Sequence, residues 1–371
     1  MSYDYSAWKG KNVISVKDFT KQNVEEVLAV ATRMKELVAK KGGCDVLNHR
    51  IMANVFLEPS TRTASSFNAA FSRLGGKVIT IQEGTSSTKK GETLQDTMRC
   101  VECYSDVLVL RHPETGAAKL AAKYVKKPLL NAGDGAGEHP SQALLDMFTI
   151  FNELGHLDDI TVTMVGDLKY GRTVHSLSYL LGFYNVKLNY VAPESLQMPQ
   201  QFIDELSARG VKQAKSEELT DAILKDTDIL YVTRIQQERF ATQEEYLKYK
   251  GVYVIDKATV LKGKETMRVM HPLPRVGEIL EDVDDMPQAA FFREMENGMY
   301  TRMALISLVT GTANEVFQIQ LLPVCSTRFI DALSFSIPSK KAVPTEEDSL
   351  GFYQSASAES SSSEETGSRK E

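Results

Sequence analysis

The sequence runs to 371 residues, 42% hydrophobic and 25% charged, which is length and apolar content enough for two medium domains with cores of their own. Its formal net charge of −6 excludes general nucleic-acid affinity, which needs a surplus of Lys and Arg on one face, so any anion site must be a local arrangement. The longest apolar pieces, such as "IMANVFL" and "DILYV", fall far short of the ~20 residues that cross a bilayer, and a membrane span is excluded.

The first nineteen residues, "MSYDYSAWKGKNVISVKDF", mix charge and carry Asp4 and Asp18, with neither an apolar signal core nor an acid-poor transit pattern, so the protein is read as cytoplasmic. Next comes "VEEVLAVATRMKELVAK", with apolar positions three and four apart, a helix. A strand is expected at 51–57, then the helix "ASSFNAAFSRLGG", a strand at 77–82, and a helix in "LQDTMRCVECYSDVLVL" that runs into a strand at 106–110. The pair Cys100 and Cys103 has redox or zinc spacing, but no second pair or nearby His completes a metal site, so both read as small buried residues; no metal and no cofactor are expected. Cys44 and Cys325 are too scattered to build a disulfide framework.

A strand at 128–131 and the helix "PSQALLDMFTIFNEL" follow, then strands at 160–166, 186–191, 228–232, 252–255 and 267–270, with the helix "RTVHSLSYLLGF" after the first of these. Short β-branched runs alternating with helical stretches define parallel α/β architecture. The division falls in the helix at 140–153, after four strands and before five. The expected fold is therefore two doubly wound parallel-sheet lobes with an interdomain cleft. Beyond about residue 324 the composition turns to Ser and Glu without periodicity, and 338–371 is expected to be a disordered tail, with 312–337 an extension of unknown structure.

Open parallel sheets bind ligands at the carboxyl ends of their strands, and unusual residues cluster there. After "VFLEP" come Ser60, Thr61, Arg62 and Thr63, opening a helix. A cap needs only one hydroxyl; the guanidinium makes the turn a phosphate cradle, with the helix N–H groups and dipole behind it. Arg111 follows "VLVL", and His139 with Gln142 opens the helix begun by Pro140. Alone, His139 would read as a structural histidine; beside Arg111 and the S-T-R-T turn it is a donor for a carbonyl oxygen. In the second half, Arg172 and Arg234 (the latter followed by Gln236) end strands in the same way, and two guanidinium forks in one lobe point to a dicarboxylate. "GDLKYG" lacks the dinucleotide fingerprint, and "VMHPLPRVGEI" sets His271 and two prolines in a rigid turn whose carbonyls can face a ligand.

Together, "FLEPSTRTASSF", "KKGETLQDT", "RHPETGAA", "GEHPSQALLD", "GDLKYGRTVHSL", "TRIQQERF" and "HPLPRVGEI" resemble, in order and spacing, the catalytic chains of the aspartate/ornithine carbamoyltransferase family, on its aspartate carbamoyltransferase side, from about residue 8 to about residue 311. The resemblance implies transfer of a carbamoyl group from carbamoyl phosphate to L-aspartate in pyrimidine biosynthesis. It implies a carbamoyl-phosphate-binding domain at 1–145 and an aspartate-binding domain at 146–311, the last helix, about 295–311, packing back on the first. Ser60, Thr61, Arg62 and Thr63 would hold the phosphate; Thr63, Arg111 and His139 the carbamoyl oxygen; Gln142 its amino group. Arg172 would take the aspartate α-carboxylate, Arg234 and Gln236 the β-carboxylate, with backbone groups from Pro272 and Leu273. Ser86 and Lys90 would reach into a neighbour's site in a homotrimer, and a regulatory chain or pathway partner is left open. The alternatives are ornithine carbamoyltransferase, which should need an acid for the ornithine amine, and a catalytically silent homologue, which should show damage at these motifs.

Overall fold

The computed structural model describes residues 4–82, 91–235 and 242–321. In chain order the elements of the first half are α1 (Lys21–Lys41), β1 (Ile51–Phe56), α2 (Thr61–Arg73), β2 (Lys77–Gln82), α3 (Leu94–Glu102), β3 (Val107–His112), α4 (Ala117–Ala121) and β4 (Leu129–Asp134). The helix α5 (Pro140–Leu154) leads into β5 (Ile160–Val165), α6 (Arg172–Leu181), β6 (Val186–Val191), α7 (Gln200–Ala208), β7 (Lys212–Ser216), α8 (Asp221–Asp226) and β8 (Ile229–Val232). The described chain finishes with α9 (Gln243–Leu247), α10 (Lys257–Val260), β9 (Arg268–Met270), α11 (Phe291–Thr310) and α12 (Ala313–Gln318).

The strands form two wholly parallel sheets, ordered β2-β1-β3-β4 and β7-β6-β5-β8-β9. Such sheets are covered on both faces, which is why β1, β4 and β5 read as unbroken buried runs instead of alternating ones. Each order contains one reversal. From β1 the chain steps outward to β2 and returns to β3 on the other side; from β5 it steps out to β6 and β7 and returns to β8. The crevices where ligands sit in such sheets therefore open beyond the carboxyl ends of β1 and β3, and of β5 and β8.

α5 connects the two sheets and is buried on nearly all sides from Pro140 to Ile150. α11 returns from the second sheet to lie against α1, α2 and α5. One apolar cluster consequently runs from Val107 and Val109 in the first sheet, through Leu144 and Phe148 of α5 and Ala304 and Leu305 of α11, to Val162 and Met164 in the second. α1 shows how sequence sets these elements locally. Thr20 and Asn23 form a reciprocal capping box, Val24, Val27, Leu28, Ala31 and Met34 form the apolar stripe, and Gly42 ends the helix in the left-handed region.

Three expectations need correction. Residues 252–255 form no strand: Val252 and Val254 are exposed and the segment makes a single bridge, Ile255 to Ile279. The edge position is taken instead by β7, "KQAKS", whose lysines face solvent and whose polar composition hid it; charge on an edge strand discourages pairing with another chain. Cys100 and Cys103 lie where α3 was expected, but both are exposed. β3 and β4 also run on to His112 and Asp134, so Arg111 sits within the end of its strand, beside an irregularity in the β3–β4 register. Of the expected C-terminal extension, residues 312–321 are described and include α12; the rest of it, and the expected tail at 338–371, lie outside the described residues.

Candidate active site

A cavity of about 290 Å³ opens where the two crevices face each other. Its walls include Ser60, Arg62 and Thr63 after β1, Arg111 at the end of β3, and His139 and Gln142 at the start of α5. The second sheet contributes Arg172 after β5, Arg234 after β8, and Pro272 and Leu273 after β9. Thr61, the first residue of α2, is exposed and does not line the cavity. Ser86, Lys90 and Gln236 lie outside the described residues.

Three helices, α2, α5 and α6, begin at this cavity. Their N-cap residues, Ser60, His139 and Gly171, make no side-chain capping hydrogen bond, and none of the three first turns carries an acid. Thr20, Thr93, Thr220 and Asp256 cap α1, α3, α8 and α10 with their side chains, while α4, α7, α11 and α12 begin, like the three at the cavity, without one. Ser60 thus holds the cap position without satisfying the helix, and the first N–H groups of α2 remain open to an anion.

Five guanidiniums meet here, those of Arg62, Arg111, Arg172, Arg234 and Arg302, and no carboxylate is among the described lining residues. Arg111 is held by Ala132 O at 3.2 Å and Glu58 Oε1 at 3.1 Å, while Arg172 donates to Gly135 O. Gly133 lies beneath both, at φ 117, which strains any side chain; a Cβ there would also come within 3.2 Å of Arg111 Nη1 and 3.3 Å of Arg172 Nη2 and push on both guanidiniums. Burial, then the charges of Arg111 and Arg234, lower the pKa of Arg62.

His139 is 4% exposed, and burial together with Arg111, Arg172 and Arg302 holds its pKa well below the usual imidazole range, so the ring is neutral. Its Nδ1 lies 3.3 Å from Ser141 Oγ; with that hydroxyl donating, Nε2 carries the ring proton. His271 is also neutral, burial outweighing Glu278. Its Nε2–H donates to Glu278 Oε1 at 2.7 Å and its Nδ1 accepts from the Leu273 N–H at 2.7 Å, which holds Leu273 at φ 53 and shapes the turn expected to present backbone groups.

Sequence reasoning passed over Arg302 and the carboxyls of Asp146 and Glu294. Arg302 is 4% exposed and donates to Ser66 Oγ at 3.0 Å; its Nε has no hydrogen-bond partner among the described residues, and burial pushes its pKa down to about 10. The available signal was an arginine inside the apolar run "YTRMALISL", since a fully buried Arg without a purpose is rare. Asp146 and Glu294, 0% exposed, lie behind Gln142, and both accept from its Nε2.

Fold and site define a two-lobed α/β protein that gathers anionic groups at the switch points of both sheets. Two family models match in sequence: the carbamoyl-phosphate-binding domain of aspartate/ornithine carbamoyltransferases over residues 11–152, and the Asp/Orn-binding domain over 158–309. The chain belongs to the aspartate/ornithine carbamoyltransferase family. It is 51% identical over 305 residues to the aspartate carbamoyltransferase catalytic subunit of Thermococcus kodakarensis, covering 82% of this chain and 98% of that one. It is 54% identical over 302 residues to multifunctional protein CAD of Squalus acanthias, covering 81% of this chain and only 13% of that protein. Among solved structures it resembles aspartate transcarbamoylase from Trypanosoma cruzi in complex with carbamoyl phosphate and aspartate, with TM-score 0.79 and 43% identity over 83% of this chain and 99% of that one. The catalytic subunit of M. jannaschii aspartate transcarbamoylase matches with TM-score 0.76 and 46% identity, over 82% and 98%.

Proposed function

We propose that this chain is the catalytic chain of an aspartate carbamoyltransferase, joining the carbamoyl group of carbamoyl phosphate to L-aspartate in pyrimidine biosynthesis. The observation that carries the reading is the convergence of five guanidiniums and three uncapped helix starts around one neutral imidazole. Two substrates bearing a phosphate and two carboxylates need such a site, and Arg172 and Arg234 reach it from the second sheet while the phosphate-side residues reach it from the first.

In this reading Ser60, Arg62 and Thr63 hold the phosphate at the start of α2, Thr61 contributing through its backbone N–H since its side chain is exposed, and Thr63, Arg111 and His139 donate to the carbamoyl oxygen. Arg172 takes the α-carboxylate of aspartate, Arg234 and Gln236 the β-carboxylate, and Pro272 and Leu273 offer backbone groups. The aspartate amine forms a bond to the carbonyl carbon, charge collects on the carbonyl oxygen, and the bond to the phosphate oxygen breaks. The amine's proton passes to the departing phosphate, the most basic group at hand once His139 is kept from protonating. A neutral donor suits the developing oxyanion because it stabilises charge without surrendering a proton to it. Fixing two anionic substrates in line supplies the remainder of the acceleration.

Ser86 and Lys90 complete the site from a neighbouring chain, which makes a homotrimer the active unit. The free Cys44, Cys100 and Cys103 fit a reducing compartment, the cytoplasm. The test is phosphate release from carbamoyl phosphate with aspartate or ornithine supplied. Turnover with aspartate is expected; turnover with ornithine alone would overturn the substrate assignment, and none with either would favour a silent homologue.

A further inference from the structure

Behind Gln142, away from the cavity, lies a closed set of polar groups that the reaction above does not use. Gln142 Nε2 donates to Asp146 Oδ1 at 2.8 Å and to Glu294 Oε1 at 3.4 Å. Tyr231 Oη donates to Asp146 Oδ2 at 2.9 Å, and the His271 N–H donates to Glu294 Oε2 at 2.9 Å. The two carboxyls meet at Gln142 Nε2, and burial raises the pKa of both, so the pair holds a proton. The groups facing the pair come from every neighbouring element: Gln142 on α5, Arg302 on α11, Tyr231 on β8 with Thr173 of α6 on its hydroxyl, and the His271 amide after β9. Asp146 receives two side-chain donors and the charge of Arg302, whereas Glu294 has only the amide beyond the shared contacts. The proton therefore resides on Glu294, and Asp146 is the carboxylate.

This arrangement decides which end of the Gln142 amide meets the ligand. Both amide hydrogens are turned inward to carboxyl oxygens, so the carbonyl oxygen is the end left for the cavity that Gln142 lines. A hydrogen-bond acceptor there matches the NH2 of a carbamoyl group and offers nothing to the methyl of an acetyl group. We infer that the Asp146–Glu294 pair is a positioning device that locks Gln142 with its oxygen toward the substrate, and so makes the site selective for carbamoyl phosphate over acetyl phosphate. The inference rests on the proposed function, since it assumes a carbamoyl substrate at Gln142. The same pair bonds the His271 amide, and thereby ties the carbamoyl side of the site to the turn at Pro272 and Leu273.

The experiment measures the preference ratio, the dissociation constant of acetyl phosphate over that of carbamoyl phosphate, by calorimetry on the intact assembly. Asp146→Asn puts an NH2 donor where the carboxylate stood and lets the Gln142 amide turn over; the ratio should fall by about tenfold or more. Glu294→Gln imitates the protonated acid, with a donor for Asp146 and an acceptor for the His271 amide, and should keep the wild-type ratio. In the wild type the ratio should fall as pH drops from about 8.5 to 5.5, where Asp146 takes a second proton; the ionisation of the two phosphates is alike and cancels. This arm requires no variant to fold. A pH-independent wild-type ratio, a folded Asp146→Asn with the wild-type ratio, or a Glu294→Gln that loses it would each overturn the inference. Wild-type protein that binds neither phosphate would instead overturn the proposed function.

Discussion

Replacing Arg302 with Met should make the protein more stable and bind phosphate less well. The guanidinium is buried in α11, 5.1 Å above the Phe67 ring, with one hydrogen bond to Ser66; the opposite charge of Asp146 partly offsets its burial, and Arg111 is a like-charged neighbour. Its pKa falls from 12.5 to about 10, and at about 1.4 kcal/mol per tenfold step the charge costs the folded state roughly 3 kcal/mol at neutral pH. The sign is that of a base whose folded pKa is depressed: the cost is present at every pH below about 10. Met keeps the length and apolar contact while removing the charge. Losing the ring contact and the Ser66 bond offsets about 2 kcal/mol, so a net gain on the order of 1 kcal/mol is expected. Against this, one charged donor to a bound phosphate is worth about 1.5–3 kcal/mol, roughly a 10- to 150-fold loss of affinity. Urea unfolding without ligand and phosphate titration by calorimetry read the two halves separately. Lower stability would refute the desolvation argument, and unchanged phosphate affinity would remove Arg302 from the anion site.

Arg234→Ala should raise the aspartate KM on the order of 10- to 100-fold while leaving carbamoyl phosphate binding near wild type, since a carboxylate fork is lost; steady-state kinetics with each substrate varied will check this, and an unchanged aspartate dependence removes Arg234 from that role. Mixing Arg62→Ala chains with Lys90→Ala chains should regenerate activity absent from either alone, because some mixed assemblies contain intact shared sites; verified hybrids with no activity would count against a site built by two chains. The buried pair predicts a stability slope. Asp146 is raised from 3.8 to about 7 and Glu294 well above its usual range, chiefly by burial, so the folded state binds the extra protons. Their contribution is full below about pH 4 and is lost as pH rises through about 7. The neutral buried His139 and His271 act oppositely, losing stability as pH falls, so the informative quantity is the difference between wild type and Asp146→Asn. Unfolding free energies near pH 5, 6.5 and 8 should show a smaller decline in the variant; equal slopes would refute the assignment.

The parallel architecture and the strand-end chemistry were legible because both write themselves into short local patterns. Buried strands of parallel sheets are apolar runs, and the residues that follow them at a switch point must be polar to meet a ligand, so Ser60, Arg62, Thr63, Arg172 and Arg234 stand out against their flanks. β7 was not legible, since an edge strand needs charge, and "KQAKS" has the composition of a loop. Residues 252–255 misled for the converse reason: β-branched residues favour a strand only where a neighbour exists to pair, and β9 already holds that place beside β8. Arg302, Asp146 and Glu294 lie inside helices whose periodicity is dominated by burial, and one charged position in an apolar helix reads as surface until the packing on every side is known. Their partners come from Ser66, Tyr231 and His271, far away in sequence.

The site gathers bare helix starts and positive charge in one place, although α4, α7, α11 and α12 also begin without a side-chain cap. Four helices distant from the cavity spend a Thr or Asp side chain on their first N–H groups, each cap being worth about 0.5–2 kcal/mol. The three helices that begin at the cavity have no such cap and no first-turn acid, and five guanidiniums share the space with no carboxylate among the described lining residues. At the cavity the open N–H groups and the unneutralised guanidiniums are what a multiply charged anion between the sheets would satisfy. The Asp146–Glu294 pair belongs to the same pattern. A second negative charge there would neutralise Arg302 and weaken the field at the cavity, whereas a single shared proton keeps one carboxylate to orient Gln142 and leaves the surplus of positive charge facing the ligand. A chain that carries a net charge of −6 can in this way hold a strongly positive cavity, because the acids are kept out of its walls or made to hold their protons.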